Sequence, residues 1–90
     1  MRDGIFRALA DPTRRQILEL LAKRDLTAGQ IAEEFPMTFA SVSHHLSVLK
    51  GTGLVASERD GQFIRYRLDT TVFQEAVRYL TGIFAGGRRA

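Results

Sequence analysis

The segment between residues 27 and 50 restricts the fold more than any other part of the chain, because it has the pattern of two short helices joined by a tight turn. Thr27 and Gln30 have the spacing of a capping box, in which each side chain accepts a hydrogen bond from a backbone N–H at the helix start. Phe35 precedes Pro36, and the residue before a proline is disfavoured in the helical conformation. The first helix is expected to end there, so the pattern predicts a helix-turn-helix.

The second helix of this motif has two faces of different character. Val42, Leu46 and Leu49 recur at i, i+4 and i+7, which predicts a narrow buried stripe. The opposite face is small and polar and has no acid, as expected for a helix that meets base edges and phosphates. This face consists of Phe39, Ala40, Ser41, Ser43, His44 and Ser47, and it follows the favourable N-cap residue Thr38. The alternative is a solvated serine-rich surface, although such a surface would usually carry Glu and Lys.

Composition narrows the class of protein. Ninety residues, 44% hydrophobic and 26% charged, make one globular domain, expected to span residues 1–85, with residues 86–90 as a flexible tail. The absence of cysteine excludes disulfides, thiolate metal sites and thiol nucleophiles. No apolar run approaches the roughly 18 residues of a membrane span, and no signal-peptide pattern is present, so we expect a cytoplasmic protein without a membrane partner. The net charge of +3 is compatible with nucleic acid but is weak evidence alone.

Another helix start precedes the motif. The dipeptide Asp11-Pro12 joins a strong N-cap to a residue favoured at the first helical position, so a helix is expected up to Lys23. Arg14 and Arg15 lie in its first turn, where positive charge is unfavourable to the helix dipole. Two interpretations stay open: they pair with nearby acids such as Asp11 or Glu19, or one of them touches a DNA phosphate.

Residues 54–68 change from a helical to an alternating pattern. Two runs, LVASER and QFIRYRL, flank Asp60-Gly61, which is a strong hairpin signal. In the second run, alternate residues are expected to face the core and the solvent. Ile64, Tyr66 and Leu68 form the core-facing set, and Phe63, Arg65 and Arg67 form the outward set. A hairpin that directly follows a recognition helix is typical of a winged helix.

The tip of this hairpin is flanked by Arg59 and Arg65. A long cation at this position can reach a phosphate or enter a narrow minor groove. The alternative is that these charges only protect an edge strand from aggregation. Leu26, just before the helix-turn-helix, is expected to be an extended residue at the edge of the sheet.

The last helix is too apolar for a chain of this size to cover completely. Asp69-Thr70-Thr71 opens it, and Thr71 with Gln74 has the spacing of a second capping box. Apolar residues occupy more than one of its faces, and the surplus predicts a dimer interface shared with the first helix. The interface is expected to contain Ile5, Phe6, Leu9, Val77, Leu80 and Phe84. A cofactor pocket is the alternative use of this surface.

Three stretches together carry a resemblance to a known family: residues 8–18 (ALADPTRRQIL), residues 41–46 (SVSHHL) and the hairpin at Gly61. The chain resembles the ArsR/SmtB family of bacterial winged-helix repressors, and residues 35–49 and 60–64 are most similar to its SdpR-type branch. The resemblance implies a mainly helical α+β fold with five helices and a two-stranded wing. It also implies a symmetric dimer, joined by the first and last helices, that binds a palindromic operator and represses transcription.

The resemblance also assigns DNA contacts to matched positions. They are Ser41, Ser43, His44 and Ser47 on the recognition helix and Arg59 and Arg65 on the wing, to which we add Thr38 and Ala40 at the helix start. Metal sensors of this family place Cys pairs on the third helix, or His and carboxylate ligands on the last one; here cysteine is absent and the last helix has no His. His44 and His45 point about 100° apart, so they suit separate roles. His45 is expected to be partly buried and hydrogen-bonded, and His44 to face the groove.

These observations predict a metal-independent homodimeric repressor that needs no cofactor. One alternative is a metal-responsive repressor of the same family that uses His and carboxylate ligands, and another is a winged helix used only for protein association. An enzyme is not expected, because the serines beside the recognition-helix histidines lack an orienting carboxylate. Besides double-stranded DNA and a second copy of the chain, an unidentified protein or small-molecule effector stays open as a partner.

Overall fold

The computed structural model describes residues 2–87, which form five helices and a three-stranded antiparallel sheet. The elements are α1 (Arg2–Leu9), α2 (Pro12–Lys23), β1 (Leu26–Thr27), α3 (Ala28–Ala32), α4 (Phe39–Thr52), β2 (Val55–Asp60), β3 (Phe63–Leu68) and α5 (Thr70–Gly87). The predicted α+β fold with five helices is confirmed. Within residues 2–87, no helix has both the length and the apolar character needed to cross a membrane.

The sheet has one strand more than the two predicted for the wing. Strand β3 lies in the middle, paired with β2 along the hairpin and with β1 at its other edge. Leu26 pairs with Tyr66 and Thr27 pairs with Arg65, so the extended edge residue expected at Leu26 is confirmed. Because α3 follows β1 directly, this pairing joins the helix-turn-helix to the wing.

The helix-turn-helix consists of α3 and α4. The side chains predicted as N-caps do cap the starts of these two helices. The Thr27 hydroxyl accepts from the Gln30 backbone N–H at 3.2 Å, and Gln30 Oε1 accepts from the Thr27 N–H at 2.9 Å. Thr38 accepts from the Ser41 N–H at 3.1 Å at the start of α4. At the other end, Gly53 adopts a left-handed conformation (φ 85°) that favours glycine. Local chemistry therefore fixes both ends of α4.

The capping box predicted for the last helix is wrong. Helix α5 begins at Thr70, and the Asp69 carboxylate accepts from the Thr71 N–H at 3.1 Å. Asp69 is held there because its own N–H donates to Leu54 O at 2.9 Å. Helix α5 continues through Gly87, beyond the predicted domain end at residue 85, and residues 88–90 of the expected tail lie outside the described residues.

The core lies between helices α1–α4 and the base of the sheet. The stripe predicted to face it from α4 is buried, as are Ile17, Leu18 and Leu21 of α2 and Ile31 of α3. The buried hydrophobic residues are Ile5, Ala8, Ile17, Leu18, Leu21, Leu26, Ile31, Val42, Leu46, Leu49, Leu54, Val55 and Ala76. Among the described residues of α5, Ala76 alone belongs to this set. The other apolar side chains of α5 are therefore not part of the protomer's buried core.

The predicted alternation of β3 holds at the base of the wing and fails toward its tip. Tyr66 and Leu68 are partly buried against the core, and the outward set is exposed as predicted. Ile64, however, is 39% exposed, so its predicted core position is wrong. The reason is that the hairpin extends past the helices that cover its base.

Candidate nucleic-acid interface

Helix α4 has a face that the rest of residues 2–87 leaves uncovered. The exposed residues of the predicted DNA-binding set on this helix and its cap are Thr38, Ala40, His44 and Ser47, while Ser41 and Ser43 are half-buried. Phe39, at the helix start, is 56% exposed. The sequence has no acid between Phe35 and Ser57, so this face carries no carboxylate of its own. A polyanion can therefore approach it without charge repulsion from the helix.

The two histidines of α4 have different surroundings, as predicted. The His44 side chain is exposed, and its ring centroid is 6.0 Å from that of His45. The His45 side chain is 15% exposed, and its Nδ1 lies 3.3 Å from Arg14 Nη1 and 3.9 Å from Asp11 Oδ2. His45 is therefore a partly buried, hydrogen-bonded residue that faces the start of α2. His44 remains accessible from solvent.

Arg14 and Arg15 cap the end of α1, a role that the sequence analysis missed. Arg14 Nε and Nη2 donate to the carbonyls of Ala8 and Arg7 at 3.0 and 3.4 Å, and Arg15 Nη1 donates to Leu9 O at 2.8 Å. Carbonyls in the last turn of a helix lack partners within that helix, and cations are favourable there. Of the two interpretations left open, pairing with Asp11 or Glu19 finds no ion pair among the salt bridges between the described side chains of residues 4–86. Both guanidinium groups donate hydrogen bonds to backbone carbonyls instead.

Asp11 closes the start of α2, as its sequence position predicts. Its Oδ2 accepts from the Arg14 backbone N–H at 3.0 Å. This hydrogen bond, together with the positive charge of Arg14, lowers the pKa of Asp11 below its ordinary value. A lowered carboxyl pKa contributes stability that is present at neutral pH and lost as the pH falls through the folded-state value. The cap is therefore intact at neutral pH.

The two wing arginines lie on opposite faces of the hairpin. In the register of β2 and β3, Arg59 is opposite Ile64 and Glu58 is opposite Arg65. Successive side chains of a strand alternate between its faces, so Arg59 shares a face with Ile64, and Arg65 shares the other face with Glu58. Arg59 Nη1 donates to Gly61 O at 3.4 Å, which holds it near the tip.

Arg65 already has a partner within the wing. Its Nη2 donates to Asp60 Oδ2 at 2.5 Å, with 43% and 59% of the two side chains exposed. The hydrogen bond to Asp60 and its negative charge raise the pKa of Arg65 above its usual value. A phosphate that binds Arg65 must therefore compete with Asp60. The sequence contained a signal for this pair, because a turn at Asp60-Gly61 places both side chains on one face of the hairpin.

An apolar groove separates the start of α4 from the wing. Phe39 and Phe63, each 56% exposed, line it together with Ile64 and Tyr66, and its volume is about 430 Å³. Its other lining residues are Thr27, Ala28, Gly29, Ser43 and Gln62. The groove lies between the two elements expected to contact DNA, and the sequence pattern alone did not indicate it.

Helix α5 carries an uncovered apolar stripe. Val77, Leu80 and Phe84 recur at i, i+3 and i+7 and are 61%, 52% and 77% exposed. Ile83 lies beside them and is 56% exposed. The predicted interface residues of this helix are therefore available to a partner.

The contribution of α1 to this surface is smaller than predicted. The Phe6 ring lies beside the Tyr79 ring, with centroids 5.9 Å apart, so α1 and α5 form one continuous surface. Phe6 and Leu9 are half-buried and reach that surface. Ile5 is only 1% exposed and belongs to the core, so its predicted interface role is wrong. Ile5 and Ala8 lie on the side of α1 that packs into the hydrophobic core.

A helix-turn-helix that leads directly into a hairpin is a winged helix, and the acid-free face of its second helix suits contact with DNA. Residues 11–57 match the family described as "Bacterial regulatory protein, arsR family". Over 85 residues the chain is 45% identical to the transcriptional repressor SdpR of Bacillus subtilis (strain 168), an alignment that covers 94% of each protein. The chain belongs to the ArsR family of DNA-binding transcriptional regulators, and this family and its relatives are not enzymes.

Two further relatives extend the comparison. The chain is 41% identical over 61 residues to a probable mercury resistance operon repressor of Streptomyces lividans, covering 68% of this chain and 49% of that protein. It thus spans about half the length of that relative. The solution structure of a homodimeric winged helix-turn-helix DNA-binding domain from Mycobacterium bovis superposes with a TM-score of 0.75 at 28% identity, covering 98% of this chain and 84% of that one. The arrangement of helices and wing is therefore that of known ArsR-type regulators.

Proposed function

We propose that two copies of this chain form a repressor that reads a palindromic operator without needing a bound metal. Each α4 enters a major groove, and the two helices lie about 34 Å apart, so that they meet successive grooves on one side of the duplex. The acid-free exposed face of α4, in a family of DNA-binding regulators, is the observation that carries this proposal. The bacterial cytoplasm, where the chromosome lies, is the expected site of action.

Base readout is assigned mainly to His44. Its exposed imidazole can both donate and accept a hydrogen bond, and no carboxylate of α4 competes for it. The serine hydroxyls and Thr38 at the helix start are shorter side chains, so they suit bases or phosphates that lie closer to the helix backbone. The proposed helix contacts are Thr38, Ala40, Ser41, Ser43, His44 and Ser47.

The wing is proposed to bind the DNA backbone through Arg59 and Arg65. Arg59 donates to a backbone carbonyl and carries no ion pair among the salt bridges of residues 2–87, so a phosphate meets little competition there. Arg65 must first break its ion pair with Asp60 before it can bind a phosphate. Arg59 is therefore the stronger phosphate ligand of the two.

Dimer formation is proposed to cover the apolar surface of α5 and α1. A contiguous apolar patch of this kind marks an interaction site, and a two-fold axis lets the same patch meet itself. The homodimeric state of the Mycobacterium bovis relative supports this arrangement. The interface residues are Phe6, Leu9, Val77, Leu80 and Phe84.

Selection of genomic fragments by the purified protein tests the proposal, because it gives the bound sequence and the spacing of its half-sites. On a selected fragment, His44→Ala should weaken binding by about 1–3 kcal/mol in a fluorescence anisotropy titration. Gln16→Ala, at an exposed polar position of α2, is the matched control and should leave the affinity unchanged. Equal affinities of the His44→Ala and control proteins would remove His44 from the interface.

A metal-responsive repressor is the second candidate, because a relative from Streptomyces lividans is named for mercury resistance. This chain has no cysteine, so mercury–thiolate chemistry lacks a ligand here. The described side chains, those of residues 4–86, contain no group of three or more His, Asp or Glu placed to hold a metal ion. Equilibrium dialysis with zinc and nickel separates the candidates: stoichiometric binding that changes operator affinity would favour the metal-responsive repressor.

A further inference from the structure

One side chain, Arg14, joins α1 to the recognition helix. Its Nε and Nη2 donate to the carbonyls of Ala8 and Arg7 at the end of α1, at 3.0 and 3.4 Å. Its Nη1 lies 3.3 Å from Nδ1 of His45, in the middle of α4. A guanidinium is planar and holds its donors in a rigid fork, so these contacts fix the orientation of α1 against α4 as well as their distance.

The contact with Arg14 also selects the protonation state of His45. Arginine can only donate, so Nδ1 of His45 must accept, and the imidazole must be neutral with its proton on Nε2. A protonated ring has no acceptor and brings a second positive charge next to the guanidinium. Such a ring has another partner available, because Asp11 Oδ2 is 3.9 Å from Nδ1. Protonation of His45 would therefore exchange its contact with Arg14 for one with Asp11.

We infer that Arg14 is a positioning residue for operator binding, which holds α4 in its DNA-reading orientation while His45 is neutral. Protonation of His45 breaks the link between α1 and α4 and weakens the binding of DNA. Because α1 belongs to the proposed dimer surface, the same link sets how each recognition helix is presented by the dimer. The inference rests on the proposed placement of α4 on DNA and adds a residue that need not touch DNA at all.

Among the described side chains of residues 4–86, the ionisable groups recorded beside His45 come from two elements. The start of α2 contributes Arg14 and Asp11, and α4 itself contributes the His44 ring at a centroid distance of 6.0 Å. Helix α1 presents the carbonyls that Arg14 occupies. Helix α3 contains no ionisable residue, and those of β2 lie at its hairpin end. His44 is the other imidazole at this site, so a test must separate its contribution from that of His45.

Arg14→Lys tests the positioning role, with Arg15→Lys as the matched control. Both changes keep the positive charge and remove a guanidinium that caps α1, but only Arg14 also reaches α4. We expect Arg14→Lys to weaken operator binding about five- to tenfold, the effect of one lost hydrogen bond, and Arg15→Lys to change it by less than about twofold. Sedimentation should show the same dimer dissociation for both proteins. Equal operator affinities for the two variants would overturn the inference.

His45→Asn tests the dependence on protonation. The asparagine oxygen can accept in place of Nδ1, but it does not titrate. Operator affinity is measured for both proteins between about pH 8 and pH 5.5, across the usual range of histidine titration. Both proteins keep His44, so the ratio of their affinities cancels its contribution. The wild type should lose about fivefold more affinity than His45→Asn on acidification, the effect of the broken Arg14 contact; parallel profiles would overturn the inference.

The double variant Arg14→Lys, His45→Ala completes the test. The operator affinity of the double variant is compared with those of Arg14→Lys and His45→Ala alone. If the two residues act through one contact, the double variant should bind the operator no more weakly than whichever single variant binds it less tightly. Additive losses would mean that the residues act separately, which overturns the link. Wild-type protein that binds no operator would instead defeat the proposed function itself. Wild-type binding with an unaffected Arg14→Lys protein defeats the inference alone.

Discussion

Helices α4 and α5 each leave one face uncovered, and the two faces differ in kind. Helix α4 buries Val42, Leu46 and Leu49 and, apart from Phe39 at its start, exposes mainly small polar side chains with no acid among them. Among its described residues, α5 buries Ala76 and exposes a stripe of large apolar side chains such as Leu80. Apart from Phe39, α4 has thus covered its large apolar side chains within the protomer, and α5 has not.

This difference points to two different partners. A polar helix face is stable in water, and its lack of carboxylates matters only to an anionic partner. A large apolar face is unfavourable in water and is expected to be covered. We therefore propose DNA for α4 and a second copy of the chain for α5.

Leu80→Glu should have the largest effect on this comparison. Leu80 is 52% exposed in the protomer, and in the proposed dimer a carboxylate there is buried without a partner. We expect dimer affinity to fall at least about a hundredfold, and operator binding to fall with it because a monomer contacts one half-site. Sedimentation velocity and anisotropy titration measure the two losses. Gln74→Glu, at an exposed polar position of α5, is the control, and a dimeric Leu80→Glu protein would refute the interface.

Leu46→Ala and Leu80→Ala are the same chemical change at positions that are 1% and 52% exposed. Leu46→Ala should lower the free energy of unfolding by about 2–5 kcal/mol at every protein concentration, because it leaves a cavity in the protomer core. Leu80→Ala should lower it only where the dimer is populated. Urea denaturation at several protein concentrations distinguishes them. A concentration-independent loss for Leu80→Ala would contradict its assignment to the dimer.

Ser47→Glu places an acid on the exposed face of α4. Repulsion between this carboxylate and DNA phosphates should weaken operator binding about tenfold, while stability stays within about 0.5 kcal/mol of the wild type. Gln16→Glu adds the same charge at an exposed position of α2 and should have a smaller effect on binding. Anisotropy titration and thermal denaturation measure the two quantities. Equal losses from both variants would indicate that the charge acts only through the net charge of the protein.

Local signals in the sequence were sufficient for most helix ends. The caps at Asp11, Thr27 and Thr38 were predictable because each uses atoms within three residues of the helix start. The start of α5 was mispredicted because Asp69 and Thr71 are both good cap residues. The hydrogen bond that decides between them, from Asp69 to Leu54, joins residues that are distant in sequence.

The features that the sequence did not reveal depend on backbone atoms or on the extent of the core. The acceptors of Arg14 are carbonyls, and because every residue has one, no residue type signals them. Strand β1 was predicted only as one extended residue, Leu26, because its two residues are too few for an alternating pattern to show. Ile64 was mispredicted because alternation indicates the face of a strand but not how far the core extends beneath it.

Asp60→Asn should have the smallest effect and extends the comparison to the wing. The change removes the carboxylate that holds Arg65. Because an exposed ion pair contributes little stability, we expect operator affinity to rise by only about two- to threefold. The logarithmic salt dependence should steepen by about one unit if Arg65 then binds an additional phosphate. Anisotropy titrations at several salt concentrations measure both.

Arg59→Ala is the counterpart on the opposite face of the hairpin. It should weaken binding to all sequences alike and flatten the salt dependence by about one unit, whether residue 60 is Asp or Asn. If Asp60→Asn changes neither the affinity nor the salt dependence while Arg59→Ala changes both, Arg65 makes no phosphate contact. The wing would then meet DNA with the Arg59 face alone, and the Asp60–Arg65 pair would serve the hairpin itself.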